Sequence, residues 1–513
     1  MARSLAPRIK DILFISLLIA VMMFGSRLFS LDGDIGRHIT VGNYIISTGT
    51  IPRTNLFSFT LMGQTMTPHE WLAQVVLALA HRALNMAGVV LVTACTISAT
   101  FVVLYRDSLK RNQAPVLSLG ITLLAAATSS LHWLSRPHVF TFLFTAIWAG
   151  LMDRQRRGNS VSLWLFGAVM WVWANTHGAF ISGFVIWGAY IAGCALEVLA
   201  ARSFNSSRLI PWMKIGLVSF VATLANPVGV RLWDTSLGFI GNRYLVSHTQ
   251  EYFPPNFQDP GLWPFMLFIA LTVLLLGIKR RPLPKAHSLL LAGWTIMALY
   301  SARNVPLWAI IATPILAEAT SFQIRNSSWK RIEENFFTLE GSRQSNAWIL
   351  SGILVTAGLL FTPNLQRVYR FDPAAFPVEA LTWLKSHPQD GRGFNYFPWG
   401  GYMLYRLWPD TLVFIDGQTD FYGEELTREY EQVIRMAPGW ESLMEKYRIL
   451  WVILPPSSNL AHTLEAMGWE KQYLDETAII LCKCDLRSRF AVPHVFRSGR
   501  GNRSATFSAW AGP

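Results

Sequence analysis

The residues best suited to chemistry lie near the start of the chain. Leu31-Asp32-Gly33-Asp34-Ile35-Gly36-Arg37-His38 follows directly on the first apolar run. Carboxylates at the edge of an apolar segment are partly desolvated, which raises their pKa toward the range of a general base. Asp-x-Asp, here Asp32 and Asp34, also offers hard oxygen ligands for Mg2+ or Mn2+. Either Asp could instead cap a helix by accepting backbone N–H bonds, and the motif alone leaves both roles open. Pro68-His69-Glu70-Trp71 closes the same stretch. Adjacent His and Glu can orient a substrate or bind a metal, while Glu also suits a helix N-terminus and Trp a membrane interface.

More polar residues punctuate the apolar part: His38, His132, Arg136-Pro137-His138, Asn175, His177, Glu251 and Arg303-Asn304. Ionisable groups at membrane depth are costly and face a cavity or a partner. Arg136, His138 and Arg303 sit in very short connections and cannot retreat far from a bilayer. Together these residues predict one polar cavity at one membrane face. Arginines there suit bidentate contact with a phosphate.

The elements that must hold them are mostly membrane helices. Of 513 residues, 52% are apolar and 15% charged, against about 25% charged in soluble proteins. This excludes a disordered chain, a coiled coil and an ordinary soluble enzyme. Apolar runs at 12–24, 87–105, 115–133, 138–152, 161–175, 179–200, 211–225, 263–278, 286–302, 305–320 and 347–363 predict a polytopic α-helical membrane protein with about eleven transmembrane helices. Segment 70–85 reads as a helix lying in the interface. Alternate connections hold 20 Lys and Arg in 76 residues against 8 in 105, which puts the first set, with the N-terminus, in the cytoplasm. The net charge of +13 is therefore orientation, not nucleic-acid binding.

This predicts a transmembrane domain over 1–363, with outer loops at 31–70 and 226–262. Residues 370–485 read as a small soluble α/β domain on the outer face, with helical patterns at 374–387, 423–436, 440–447 and 459–467. Its β-rich runs are Thr411–Ile415, Ile449–Leu454 and Ala478–Cys482. Residues 486–513 read as a basic disordered tail. Asn395-Tyr396-Phe397-Pro398-Trp399-Gly400-Gly401-Tyr402 and Asp416-Gly417-Gln418-Thr419-Asp420 suit either a ligand loop or a structural turn. Four cysteines build no disulfide framework. Walker, nucleophile-elbow, zincin and Rossmann motifs are absent from the sequence.

The first-loop motif, Gly49-Thr50-Ile51-Pro52, Phe57-Ser58-Phe59-Thr60 and His69-Glu70-Trp71-Leu72 together resemble bacterial members of the GT-C glycosyltransferase superfamily. This group includes protein mannosyltransferases, aminoarabinose transferases and oligosaccharyltransferases. Arg136-Pro137-His138, Trp173–Gly178, Gln250–Pro255, Gly400-Gly401-Tyr402 and Phe414–Gly417 are similar to its later blocks. The chain departs from the pattern at Asn55, where the resemblance leads one to expect Asp. The resemblance implies transfer of a sugar from a polyprenyl-phosphate donor to an acceptor at the outer face of the bacterial cytoplasmic membrane. It implies Asp34, with Asp32 beside it, as base or ligand of Mg2+ or Mn2+. His38, His69, Glu70, Arg136, His138, His177, Glu251 and Arg303 are then candidates to bind substrate. A non-enzymatic lipid or polysaccharide transporter, or a glycan-binding membrane scaffold, fits the same spans and cavity.

Overall fold

A computed structural model describes residues 6–30, 33–201, 206–278, 282–325, 328–341 and 347–483. Asp32, Cys484 and the tail 486–513 lie outside the described residues. Each of the eleven apolar runs carries a helix, from Ile9–Met23 to Ala347–Leu359. Trp71–Asn112, Pro115–His132, Gly178–Ala200 and Pro260–Gly277 are long and apolar enough to cross a membrane. Leu163–Ala174, Ile210–Leu224 and Ala347–Leu359 are apolar but shorter.

Trp71–Asn112 breaks at Leu84 and Asn85, where Asn85 takes φ 52° and ψ −147°. The break falls where the sequence separates the interfacial segment from the next apolar run. The 321–346 connection holds a further helix, Lys330–Gly341. Its Glu333 accepts from the backbone N–H of Val116 at 2.8 Å and Leu117 at 2.9 Å, and Glu340 from Ile9 at 2.9 Å. Two glutamates thus satisfy the orphan donors of two other helix starts.

At the same end of the bundle, buried Asp153 accepts from His287 at 2.9 Å and pairs with Arg111 at 3.0 Å and Arg156 at 2.7 Å. Arg111 and Arg156 also reach Glu318, at 3.2 and 3.1 Å. Asp153, His287 and Glu318 are close enough to share a cation. The guanidinium groups already supply the positive charge, so the cluster is an ion-pair clamp on converging helices.

The C-terminal part forms a four-stranded sheet of β1 (Arg392–Asn395), β2 (Ile449–Leu454), β3 (Glu470–Leu474) and β4 (Ile479–Cys482), in the order β1-β2-β4-β3. β1 runs parallel to β2, and β4 antiparallel to both β2 and β3. The helices Val378–Ser386, Thr419–Ile434, Trp440–Lys446 and Asn459–Ala466 fall within or beside the predicted patterns, and Gly400–Leu407 is an additional one. Thr411–Ile415 is not a strand of the sheet, contrary to expectation. Val413 makes an isolated bridge to Ser58 instead, so this run belongs to the seam between the two parts of the chain.

That seam is tight because glycines line it. A Cβ on Gly36 would lie 2.4 Å from the Gly401 carbonyl oxygen, and one on Gly401 would lie 2.3 Å from that of Gly33. The helices Asp34–Thr48 and Gly400–Leu407 therefore meet backbone to backbone. This fixes the sheet region against the first loop.

Candidate functional site

Asp34 is the first residue of the helix Asp34–Thr48, with Gly33 in the capping position. The helix stops at Gly49, whose φ of 67° is the left-handed conformation that glycine adopts freely. Asp34 thus stands at a helix N-terminus, where a negative charge is favoured. Its Oδ2 accepts from Arg136 Nη2 at 2.5 Å. Arg136 lies in the connection before the helix His138–Arg156, held by the Ser135 N–H donating to the Leu28 carbonyl at 2.7 Å.

The other terminal nitrogen, Arg136 Nη1, donates to Glu251 Oε1 at 2.6 Å. Glu251 Oε2 lies 3.3 Å from Arg303 Nη1, which donates to the Tyr252 hydroxyl at 3.0 Å. The Ala302 N–H donates to the Phe253 carbonyl at 2.9 Å, strapping the two loops together. The result is one chain of charge, Asp34–Arg136–Glu251–Arg303, drawn from four separate stretches of sequence. Its side chains stay 19 to 33% exposed, so the chain is lodged in protein yet open to a ligand.

Buried Arg37 donates from Nη1 to Asp416 at 2.6 Å and from Nη2 to Gln418. Asp416 also accepts from the Tyr422 hydroxyl at 3.0 Å. Between them, a Cβ on Gly417 would fall 1.7 Å from Asp34 Oδ1. Only the absence of a side chain there lets the loop close over the carboxylate. The Asp416–Asp420 motif is therefore part of the Asp34 site, and its tail returns to the first loop through Asp420, 3.6 Å from His69 Nδ1.

Glu70 forms a second focus. Its oxygens lie 3.7 Å from His38, 3.9 Å from His69 and 3.7 Å from His177. His177 Nδ1 pairs with Thr141 Oγ1 at 2.8 Å, and Trp173 donates to that hydroxyl at 2.9 Å. His138 packs 6.5 Å from the His177 ring and pairs through Nε2 with the His132 carbonyl at 2.8 Å. The described candidates thus converge: Asp34, Arg136, Glu251 and Arg303 in one group, His38, His69, Glu70 and His177 in the next, with His138 beside His177. Other polar residues have partners outside these groups. His81 pairs with Tyr405 at 2.9 Å, His248 faces Glu431 at 3.7 Å, and Asn175 accepts from Trp71 at 2.7 Å. Sequence reading gave no role to Arg37, Tyr252 or Tyr422. The Asp-Gly-Gln-Thr-Asp spacing was the signal for Asp416, Gly417, Gln418 and Asp420, joined for the first two by the Phe414–Gly417 resemblance.

Electrostatics separate the carboxylates. Burial, then Asp416, Glu251 and Glu70, push Asp34 up to about 8. Burial works the same way on Glu251, but Arg303 and Arg136 outweigh it and hold that carboxyl at about 2. Burial also raises Glu70. His38 falls to about 3 through burial and Arg37. His69 shifts upward: burial opposes its charge, but Asp420 and Glu70 outweigh burial. One carboxyl poised near neutrality beside one held ionised is the pattern that divides acid–base roles.

Asn55, the departure from the expected Asp, is a buried turn residue. Its Oδ1 accepts from the Phe57 N–H at 3.0 Å, and its Nδ2 donates to the Ser58 carbonyl at 3.0 Å and the Ser58 hydroxyl at 2.8 Å. Every bond it makes here is local to the loop, and two of them need an amide.

A divalent ion would find Asp34 Oδ2 and Glu251 Oε1 both engaged by Arg136. Among the described residues the carboxylates of this site do not converge on a vacant centre, so the arrangement does not fit an ion on Asp34.

No family model matches the sequence, and no curated protein matches it. Solved structures do. An oligosaccharyltransferase of Archaeoglobus fulgidus in the apo form aligns with 87% of this chain and 69% of its own, at 12% identity and TM-score 0.57. The oligosaccharyltransferase AglB from Archaeoglobus fulgidus, in complex with an inhibitory peptide and a dolichol-phosphate, aligns with 87% and 68%, at 12% identity and TM-score 0.59. ArnT from Cupriavidus metallidurans in the apo state aligns with 94% and 99%, at 13% identity and TM-score 0.47. The likeness to the oligosaccharyltransferase is one of fold. Together with the long apolar helices, it makes this chain a membrane protein with the GT-C-like fold.

Proposed function

We propose that the protein is a membrane glycosyltransferase that moves a sugar from a polyprenyl-phosphate donor to an acceptor at the outer face of the bacterial cytoplasmic membrane. The observation that carries this reading is the Asp34–Arg136–Glu251–Arg303 chain at the head of the first-loop helix. It joins a carboxyl of raised pKa to two guanidinium groups, which is what attack by a hydroxyl with departure of a phosphate requires. The fold likeness to a protein solved with a dolichol-phosphate supports the lipid-linked donor.

In this scheme the acceptor hydroxyl attacks the anomeric carbon while the bond from that carbon to the phosphate oxygen breaks. Asp34 takes the hydroxyl proton. The lipid phosphate leaves as an anion, held by Arg303 and by any donor that Arg136 can spare, so the second carboxylic acid of a glycosidase is not needed. Attack opposite the leaving group inverts the anomeric centre. Glu70 and its histidines, 3.6 to 3.9 Å apart with Asp420, are close enough for one sugar hydroxyl to bond two of them from the side. Eleven spans, a cytoplasmic N-terminus and an outer 370–485 domain complete the reading.

The test is turnover by purified protein given polyprenyl-phosphate sugars, with Asp34→Asn as the control. Product formed by the native chain and lost in the variant supports the reading. Binding of donor without turnover would replace it with the transporter or scaffold.

A further inference from the structure

We infer that the Arg136 guanidinium is the built-in cation of this site and occupies the position in which a divalent metal ion would serve Asp34. The argument is geometric first. Nη2 lies 2.5 Å from Asp34 and Nη1 lies 2.6 Å from Glu251. One rigid planar group therefore bridges two carboxylates from distant loops, which is the task a metal ion performs where acidic residues converge. A guanidinium does it with directed hydrogen bonds and stays charged at every working pH.

Charge balance agrees. Arg303 stands 3.3 Å from the other oxygen of Glu251, so two acids meet two guanidinium groups. With Asp34 ionised this set is neutral. With Asp34 protonated it carries one positive charge in excess. Among the described residues, a dication added to either state lacks negative charge in this set to hold it. Of the neighbouring carboxylates, Asp416 is matched by Arg37 at 2.6 Å and Asp420 faces His69 at 3.6 Å, while Glu70 lies within 3.9 Å of three histidines.

The consequence for the chemistry rests on the glycosyl-transfer reading. The positive charge that steadies Asp34 and faces the departing phosphate is covalently part of the chain, and chelators leave turnover unchanged. The binding test does not depend on turnover. Purified full-length protein is titrated with Mn2+ and the bound fraction is read from the loss of the free-ion resonance. Native protein and Asp34→Asn are expected to bind the same amount, because no ion sits on Asp34; less binding by Asp34→Asn overturns the inference.

Arg136→Ser, checked for folding by its melting transition, is expected to gain one equivalent of Mn2+ that the double variant Arg136→Ser/Glu251→Gln loses. A folded Arg136→Ser that gains none overturns the inference too. If Arg136→Ser does not fold, Arg136→Lys serves. Lys keeps the charge without the fork and is expected to bind no more Mn2+ than native, with turnover down about 10²-fold or more from the lost donor. Mn2+ uptake by Arg136→Lys above the native amount overturns it. Absence of turnover with every sugar, the Mn2+ results holding, would sink the glycosyl-transfer reading alone.

Discussion

Asp34 meets opposing demands, and its titration should show them. Burial and three neighbouring carboxylates hold its proton up to about 8, while Arg136 at 2.5 Å waits for the anion. As the base, Asp34 works only when deprotonated, so activity should climb with pH along a limb centred near 8. Asp34→Asn should cost about 10²–10⁴ in rate, and Asp34→Ala as much; an Asn variant that keeps its activity would reduce Asp34 to a helix-terminus residue. Glu251→Gln removes one of the repelling charges and frees Arg136 for Asp34. Both effects favour the Asp34 anion, so the limb should move to lower pH in a pH–rate profile. Stability carries the opposite sign. A carboxyl whose folded pKa exceeds its unfolded value of about 4 stabilises the fold at low pH and gives that stability up as pH rises toward about 8. The difference in melting temperature between Asp34→Asn and native protein should therefore grow in favour of the variant across that window.

At the scale of elements, the site is made by a helix start and a loop that were both visible in the sequence but not visibly joined. Arg37 and Asp416 stand 379 positions apart, and no periodicity connects them. The apolar runs were legible because helices in a membrane are marked by composition. β2 and β4 were legible because their side chains are almost all buried. β1, Arg-Gly-Phe-Asn, is too short to show alternation, and β3, Glu-Lys-Gln-Tyr-Leu, is a polar edge strand without a fully buried residue. Thr411–Ile415 looked like a strand because its apolar residues are buried: Val413 bridges Ser58 of the first loop, while Phe414 and Ile415 pack in the core beside the sheet without joining its ladder. Two substitutions separate local architecture from chemistry. Gly417→Ala drives a methyl into the Asp34 carboxylate. It should cut the rate about 10²-fold by displacing the base, with a much smaller change in melting temperature. Asn55→Asp removes the amide that donates to Ser58. It should destabilise by about 1–3 kcal/mol from the unsatisfied buried groups, seen in denaturant melts, while the surviving folded fraction keeps native turnover.

For the whole molecule, the decisive quantity is which side of the membrane each part faces. The contact between Gly417 and Asp34 requires the sheet region and the first loop to lie on the same side, whatever that side is. The direction comes from charge: basic residues gather in the connections 106–114, 153–160, 279–286 and 321–346, which the positive-inside rule places in the cytoplasm. Under the proposed eleven spans, 370–485 then lies outside. Single cysteines at exposed positions, in a background lacking the native ones, test both statements with a reagent that cannot cross the membrane. Met62→Cys in the first loop and Leu450→Cys on β2, 48 and 41% exposed, should label in intact spheroplasts, and Asn159→Cys in the 153–160 connection only after permeabilisation. If Met62→Cys and Leu450→Cys disagree, the seam that builds the site does not exist in the membrane. If they agree but label only after permeabilisation, the site stands and the orientation is reversed, which would turn its donor from an outer-leaflet lipid into one of the cytoplasmic leaflet.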